Sequence, residues 1–544
     1  MTITRIISLV VVLVLVALGI FLFAKKAKNN KLEKIFSLIF AGVVASGYAI
    51  FKNIMWANLI TVISLAIVGG FFIIRKSKKH DLAKWITLFI GVSIALTWVF
   101  TYGYFNGAQF YDYGMNQQGL TDIVNILYYS INFAADKIIF LLALGAFYAV
   151  LSQSNGYKKI VTKLAEKFKG KEIVFVLVSS LLFAVMTSVF NQSFIALTFV
   201  PFVISIALSM KLDKITAFCV TFGSILIGTL GVTYGGEGLY WFNYYVQTTI
   251  NTGILYRLLV LVISFVLFNF FTILHVKKVL KDKKLNEIDE DPFKVEKVDK
   301  KAKTWPVIII LSVLFVIIVL GYVNWESNFG IKCFTTFHNW LLGLKIGKFE
   351  IFKALLGTQA TEAWFGGWNL FHASFLLIVT SVVIALVSKI KLNDFISYYG
   401  EGIKKLGKST LLFVGVYMVM VAAYMSPFVP TITNYIFDGV KNFNPYLVSL
   451  DAFIASIFHA DFGFTGYVVT SFLTNTYTTS LEIIHTIFTT MYGFAGLFVP
   501  TSAILLIGLS YLNIDYKTWI KYIWVFVVAI LVILLVLFTV VTYI

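Results

Sequence analysis

Thr187-Ser188-Val189-Phe190-Asn191-Gln192-Ser193 sits near the middle of an apolar stretch, residues 173–210. His459-Ala460-Asp461-Phe462-Gly463-Phe464-Thr465-Gly466 interrupts residues 448–480 in the same way. A second, glycine-broken apolar stretch follows each. The first half carries Gly228-Thr229-Leu230-Gly231-Val232-Thr233-Tyr234-Gly235-Gly236, and the second carries Gly493-Phe494-Ala495-Gly496-Leu497-Phe498-Val499-Pro500-Thr501-Ser502. Paired interruptions at corresponding places of two halves point to a solute-binding site near the bilayer midplane.

Composition sets the medium. With 59% hydrophobic and 13% charged residues and a mean hydropathy of +0.89, the chain reads as an all-α polytopic membrane protein whose partner is the lipid bilayer of the cell membrane. Residues 3–23 carry Arg5 early and Lys25 and Lys26 directly after, with no small-residue cleavage motif. That pattern reads as a retained helix rather than a signal peptide. The net charge of +18 comes from lysines clustered in short loops, the positive-inside bias, and argues against a nucleic-acid partner. Cys219 and Cys333 have neither metal-ligand spacing nor a disulfide framework.

Orientation follows the lysines. Residues 25–34, 75–84, 158–171, 211–214, 277–303 and 404–408, with Lys517 and Lys521, are assigned inside. Residues 104–136 and 442–491 lack lysine and arginine and are assigned outside. The alternation closes only if residues 173–210 and 448–480 enter and return as re-entrant hairpins, from the inside and outside respectively. The alternative is two ordinary crossings per stretch with a tight polar turn, which arms of about 16–18 residues nearly permit. The hairpin reading predicts about twelve transmembrane helices, two hairpins and two broken helices. It divides the chain into an N-terminal helix pair (1–54), a first repeat (55–275), a charged cytoplasmic linker (276–304) and a second repeat of inverted topology (305–544). The linker mixes ten lysines with seven acids. Ahead of the first hairpin, Ile160, Val161, Leu164 and Phe168 share one face of an interfacial amphipathic helix. Residues 428–444 hold the equivalent place in the second half, with Pro430 weakening the expected helical start.

Broken helices expose amides at one end and carbonyls at the other, ready sites for a carboxylate and for a cation. Gly228-x-x-Gly231 and Gly493-x-x-Gly496 recur in register with the hairpins, although such spacing alone is more often a close-packing face. Thr187, Ser188, Asn191, Gln192, Ser193 and Thr233 in one half, and Thr465, Thr501 and Ser502 in the other, supply neutral oxygens and amides. They suit a weakly held cation, with Na+ near Asn191 and Thr501 as the expectation. Ionisable residues within a membrane are functional candidates by default, which selects Asp461, His459 and Glu237. Asp461 could hold a cationic group, a sodium ion or a proton, and His459 could shuttle that proton or merely fill the turn. Glu237 could equally cap its helix. Asp451 and His485 fall nearer the expected outer boundary and are set aside. Trp241, Tyr240, Tyr244 and Tyr245 read as an interfacial belt.

At these residues the chain resembles the YfcC-like family of the ion transporter superfamily, relatives of anaerobic dicarboxylate carriers and basic amino acid antiporters. The resemblance runs over about residues 136–284 and 395–525. It includes Phe199-Val200-Pro201-Phe202, Leu212-Asp213-Lys214, Phe498-Val499-Pro500-Thr501-Ser502, Leu509, Asp515-Tyr516 and Trp519. It implies an elevator-like carrier, a homodimer, and hairpin tips that make the substrate and ion sites. The chain departs from the family pattern where paired glutamates are usual near Ser193 and Phe194, and where Ala460 and Asp461 replace a proline-serine pair. The expected function is a secondary transporter of a small amino acid or organic anion, coupled to Na+ or H+ or working by exchange. Amino acid is favoured over dicarboxylate because Asp461 adds an acid and neither tip carries lysine or arginine. A polytopic membrane enzyme such as a lipid-linked glycosyltransferase would need clustered acids or a basic residue at a membrane face, and a channel would favour a symmetric filter. No Gly-x-x-x-x-Gly-Lys motif supports direct ATP coupling.

Overall fold

The computed structural model describes residues 81–119, 121–190, 193–235, 237–281, 292–293, 299, 301–356, 364–466 and 471–543. The expected N-terminal helix pair, most of the charged linker, Asn191, Gln192 and the Glu237 side chain lie outside the described residues. What is described is helical apart from two small antiparallel hairpins, Gly103–Asn106 with Gln109–Asp112 and Lys345–Ile346 with Phe349–Glu350. The sequence reading did not anticipate them. In the second, Lys345 and Lys353 lie 2.7 and 3.0 Å from the Glu350 carboxylate and pull its pKa down to about 2.

Among the described residues six helices are long and apolar enough to cross a bilayer: Glu172–Val189, Ile254–Lys281, Trp305–Tyr322, Leu370–Val387, Leu392–Met425 and Tyr516–Tyr543. Asp122–Phe133 and Ala135–Leu151 form a further pair bent by 64°. Tyr516–Tyr543 shows what the medium demands. It buries Trp519, Ile523, Phe526, Ile530, Leu534 and Phe538 on one stripe, yet exposes Val528, Val532, Val536 and Val540 on another. A helix apolar on both faces belongs in lipid.

One order of elements occurs twice. A long helix (Ala135–Leu151, then Leu392–Met425) precedes a short amphipathic one (Asn155–Phe168, then Val429–Phe437). Next comes an interrupted pair: Glu172–Val189 with Ser193–Phe199 and Val200–Ser209, then Pro445–Phe458 with Phe462–Thr465 and Ser471–Thr476. A broken helix follows. In the first half it runs through Lys214–Phe218, a π turn at Cys219–Gly223 and Ser224–Leu230 to Glu237–Val246. In the second it runs through Leu481–Gly496 and Ala503–Tyr511. A closing helix of 28 residues ends each series, Ile254–Lys281 and Tyr516–Tyr543.

Local chemistry fixes the ends. Asp213 caps Lys214–Phe218 by accepting from the Thr216 amide at 3.1 Å, and its other oxygen lies 2.9 Å from His275 Nε2 near the far end of the closing helix. Asn444 caps Pro445–Phe458 through the amides of Tyr446 and Leu447. Pro430 falls in the first turn of Val429–Phe437, where no helical hydrogen bond needs its missing N–H. The first amphipathic helix buries Tyr157, Ile160, Val161 and Ala165, with Leu164 and Phe168 half-covered. From the linker, Phe293 is buried against Tyr148 and Tyr511.

Glycines set the two central crossings. The long helices meet at Gly145 and Gly402, where a Cβ on either would lie within 2.4 Å of the other's carbonyl oxygen. The broken helices meet where a Cβ on Gly493 would lie 2.2 Å from Leu230 Cα. Gly496, in contrast, would meet nothing closer than 3.6 Å. Gly493→Ala therefore should destabilise the detergent-solubilised protein by about 1–3 kcal/mol, the usual scale of overpacking. Gly496→Ala should leave the melting temperature unchanged, and thermal unfolding followed by size-exclusion reads both.

Candidate solute-binding site

The first interrupted pair is tied to the first broken helix by Ser188. Its carbonyl accepts from the amides of Thr233, Tyr234 and Gly235 at 3.1, 2.9 and 2.8 Å. Its hydroxyl lies 2.9 Å from Gly231 O and 3.0 Å from Thr233 Oγ1. The second half uses other side chains for the same purpose. Thr501 donates to Ile457 O and Tyr492 to Ala460 O, both at 2.7 Å. Each closing helix then secures the break from the opposite side. Arg257 donates to the carbonyls of Val232 and Thr233 at 3.2 and 2.8 Å, while Trp519 donates to Leu497 O at 2.8 Å and Tyr516 to Phe498 O. Backbone interrupted at membrane depth is thus satisfied by protein.

Both interruptions line one small cavity of about 90 Å³. Thr187 and Ser193 come from the first interrupted pair, Ala460, Asp461 and Phe462 from the second. Thr229, Val232, Gly235 and Gly238 come from the first broken helix, Thr489, Tyr492 and Ala503 from the second. Lys137 and Tyr417 enter from the two long helices. A second cavity of about 70 Å³ shares Ser193, Ala460 and Tyr492 and adds Ser456, His459, Gly496, Thr501 and Ser502. A vestibule of about 420 Å³ shares Lys137, Tyr417 and Asp461 and extends to Asn132, Trp241 and Tyr245. Two of the aromatics assigned to an interfacial belt therefore line an access path.

The sequence candidates separate into three groups. Thr187, Ser193, Asp461, His459, Gly496, Thr501 and Ser502 line the cavities. Among the described residues the Thr187 hydroxyl and His459 Nε2 are buried without a hydrogen-bond partner, and His459 Nδ1 lies 2.8 Å from Ala455 O. Asp461 caps Phe462–Thr465 through the Gly463 amide at 3.0 Å. Ser188, Thr233, Gly228, Gly231 and Gly493 hold the frame. A Cβ on Gly228 would meet Ala184 O at 2.4 Å, and one on Gly231 would meet Leu261 Cα at 2.3 Å. Three of the four matched glycines therefore serve close approach, and none of the four has positive φ. Thr465 is buried with an unpartnered hydroxyl away from these cavities, and Glu237 opens the helix Glu237–Val246. The residues set aside stay apart: Asp451 accepts from Thr433 at 2.7 Å and His485 pairs with Asn243 at 2.7 Å.

Lys137, Tyr417, Thr489, Tyr492 and Arg257 were missed. Lys137 sits 3.3 Å from Asp136 at the start of a helix, just past the bend. The available signal was its place as the first basic residue after the lysine-free stretch 104–136. Among the described residues no group of His, Cys, Asp and Glu could hold a metal ion.

Two interrupted helix pairs and two broken helices around one solvent-reachable cavity define a membrane carrier. Residues 32–543 match the family model DcuC, C4-dicarboxylate anaerobic carrier. The chain belongs to that family, and it is a multi-pass membrane protein and a secondary transporter rather than an enzyme. No curated protein matches it in sequence. Among solved structures it is similar to the YdaH transporter of Alcanivorax borkumensis, with 10% identity and a TM-score of 0.41 over 84% of this chain and 98% of that one.

Two substitutions separate frame from site. Ser188→Ala keeps the carbonyl that gathers the three amides but removes the hydroxyl bonded to Gly231 O and Thr233 Oγ1, and should cost about 1–3 kcal/mol of stability. Thr187→Val removes a hydroxyl that has no hydrogen-bond partner among the described residues, so it should leave the melting temperature unchanged while slowing uptake.

Proposed function

We propose that the protein carries a C4-dicarboxylate across the membrane, the solute binding in the cavity between the two interrupted pairs. The observation that supports this is the set of anion-binding groups on one wall of the cavity, which faces a single carboxylate, Asp461. Lys137 lines the cavity together with the opening turns of three helices, at Ser193, Gly238 and Ala503. Helix N-termini attract anions, and a lysine adds a full charge. One carboxylate meets the Lys137 ammonium, and the other meets hydroxyl and amide donors around Thr187, Ser193 and Thr489. The family description, C4-dicarboxylate anaerobic carrier, agrees with this choice. The preference for an amino acid rested on Asp461, whose carboxylate also lines the cavity but is engaged as a helix cap.

Coupling fits the second cavity, where Ser456, Thr501, Ser502 and the unpartnered His459 Nε2 offer neutral ligands to Na+ or a resting place for a proton. The ties at Ser188, Thr501 and Tyr492 make the interrupted pairs and broken helices one body. That body sliding against the long helices crossed at Gly145 and Gly402 is an elevator movement. Residues 55–275 and 305–544 are then the two inverted repeats, and a homodimer would hold the long helices fixed.

Uptake into proteoliposomes tests this reading. Labelled succinate or fumarate should accumulate under an imposed Na+ or proton gradient, or against preloaded counter-solute, while amino acids should not. Lys137→Gln should lower uptake roughly tenfold or more, as expected for loss of a charged partner. Accumulation of an amino acid instead, or an unaffected Lys137→Gln, contradicts the proposal.

A further inference from the structure

The two breaks are equivalent in register but not in charge. Aligning Gly228-x-x-Gly231 with Gly493-x-x-Gly496 places Val232 opposite Leu497 and Thr233 opposite Phe498. Arg257 is the fourth residue of the first closing helix and Trp519 the fourth of the second. Arg257 donates to Val232 O and Trp519 donates to Leu497 O, so equivalent side chains bind equivalent carbonyls. The first break thus holds a guanidinium where the second holds a neutral indole.

The surroundings of Arg257 are those of a bound cation. It is buried, and among the described residues its hydrogen-bond partners are all main-chain carbonyls, those of Val232, Thr233, Ile250 and Thr252. An ionised group in the membrane interior is costly unless compensated. Here the compensation comes from four carbonyls, those of Val232 and Thr233 just past the end of Ser224–Leu230 and those of Ile250 and Thr252 in the segment before the closing helix. Backbone carbonyls of this kind are also ligands for small hard cations. The second break keeps cavity space beside it, lined by Gly496, Thr501 and Ser502, and its carbonyls are met by uncharged donors.

We propose that Arg257 is a tethered cation that takes, at the first break, the place a mobile monovalent cation would otherwise occupy. Coupling to a mobile cation is thereby confined to the second half. The inference rests on the carrier reading, and it makes Arg257 a positioning residue for the cavity-lining segment at Val232 and Gly235 rather than a solute ligand.

The test uses the full-length protein with Arg257→Gly, which leaves room for a free guanidinium, and Arg257→Lys, which keeps the charge. Guanidinium at millimolar concentration should raise the melting temperature of Arg257→Gly and leave the wild type unmoved. In proteoliposomes Arg257→Gly should lose uptake roughly tenfold or more, recover part of it with added guanidinium, and require one more small monovalent cation than the wild type, read as a higher Hill coefficient for that cation. Arg257→Lys should retain uptake with the wild-type cation dependence. An Arg257→Gly protein whose melting ignores guanidinium overturns the proposal. So does a folded Arg257→Lys as inactive as the neutral variant, because a purely structural pin needs the guanidinium's geometry rather than its charge. Failure of the wild type to move any C4-dicarboxylate would instead contradict the substrate reading, and the melting comparison would still decide the role of Arg257.

Discussion

A helix that stops inside hydrocarbon leaves amides and carbonyls that no water can satisfy, each at a cost of several kcal/mol. This chain interrupts helices in both halves, and much of its architecture answers that constraint. Ser188 gathers three amides on one carbonyl, Thr501 and Tyr492 close the corresponding gap in the second half, and the closing helices bring Arg257, Tyr516 and Trp519 to the exposed carbonyls. These bonds join an interrupted pair to a broken helix in each half. The close crossings at Gly145 with Gly402, and at Gly493 with Leu230, bring the halves near enough for both interruptions to share that cavity.

The sequence was most informative where the constraint is most local. Polar residues amid apolar ones mark the interruptions, so the order of elements in each half and the cavity contributions of Thr187, Ser193, His459, Asp461, Thr501 and Ser502 could be read directly. Gly-x-x-Gly was ambiguous because unwinding and close packing require the same residue, and only the positions of Leu230, Leu261 and Ala184 decide between them. Lys137 was missed because nothing near it in sequence reveals that a bent helix carries it to the cavity that Asp461 also lines. Arg257 was hidden likewise, its partners being carbonyls without side-chain identity. The two β-hairpins lie in loops whose short strands have too little alternation to stand out.

The proposed function rests on how donors and acceptors are distributed. In that reading Lys137 and three helix starts hold the anion in the main cavity, and the adjoining cavity, with its hydroxyls and the His459 imidazole, takes the coupling ion. The shared walls Ser193, Ala460 and Tyr492 would then link the two, since ordering one wall for the ion also orders it for the solute. The repeat symmetry supplies two equivalent breaks, and the exchange of guanidinium for indole between them gives the two halves different electrostatic roles.

The central claim is that both interruptions face one solute. Its most direct measurement is substrate protection in protein lacking Cys219 and Cys333, with a single cysteine at Ser193→Cys or at Ala460→Cys, alkylated in proteoliposomes across a succinate titration. The account predicts that succinate protects both positions with the same half-maximal concentration. Protection at one position alone, or at neither in protein that still transports succinate, would place the solute elsewhere and contradict a shared cavity.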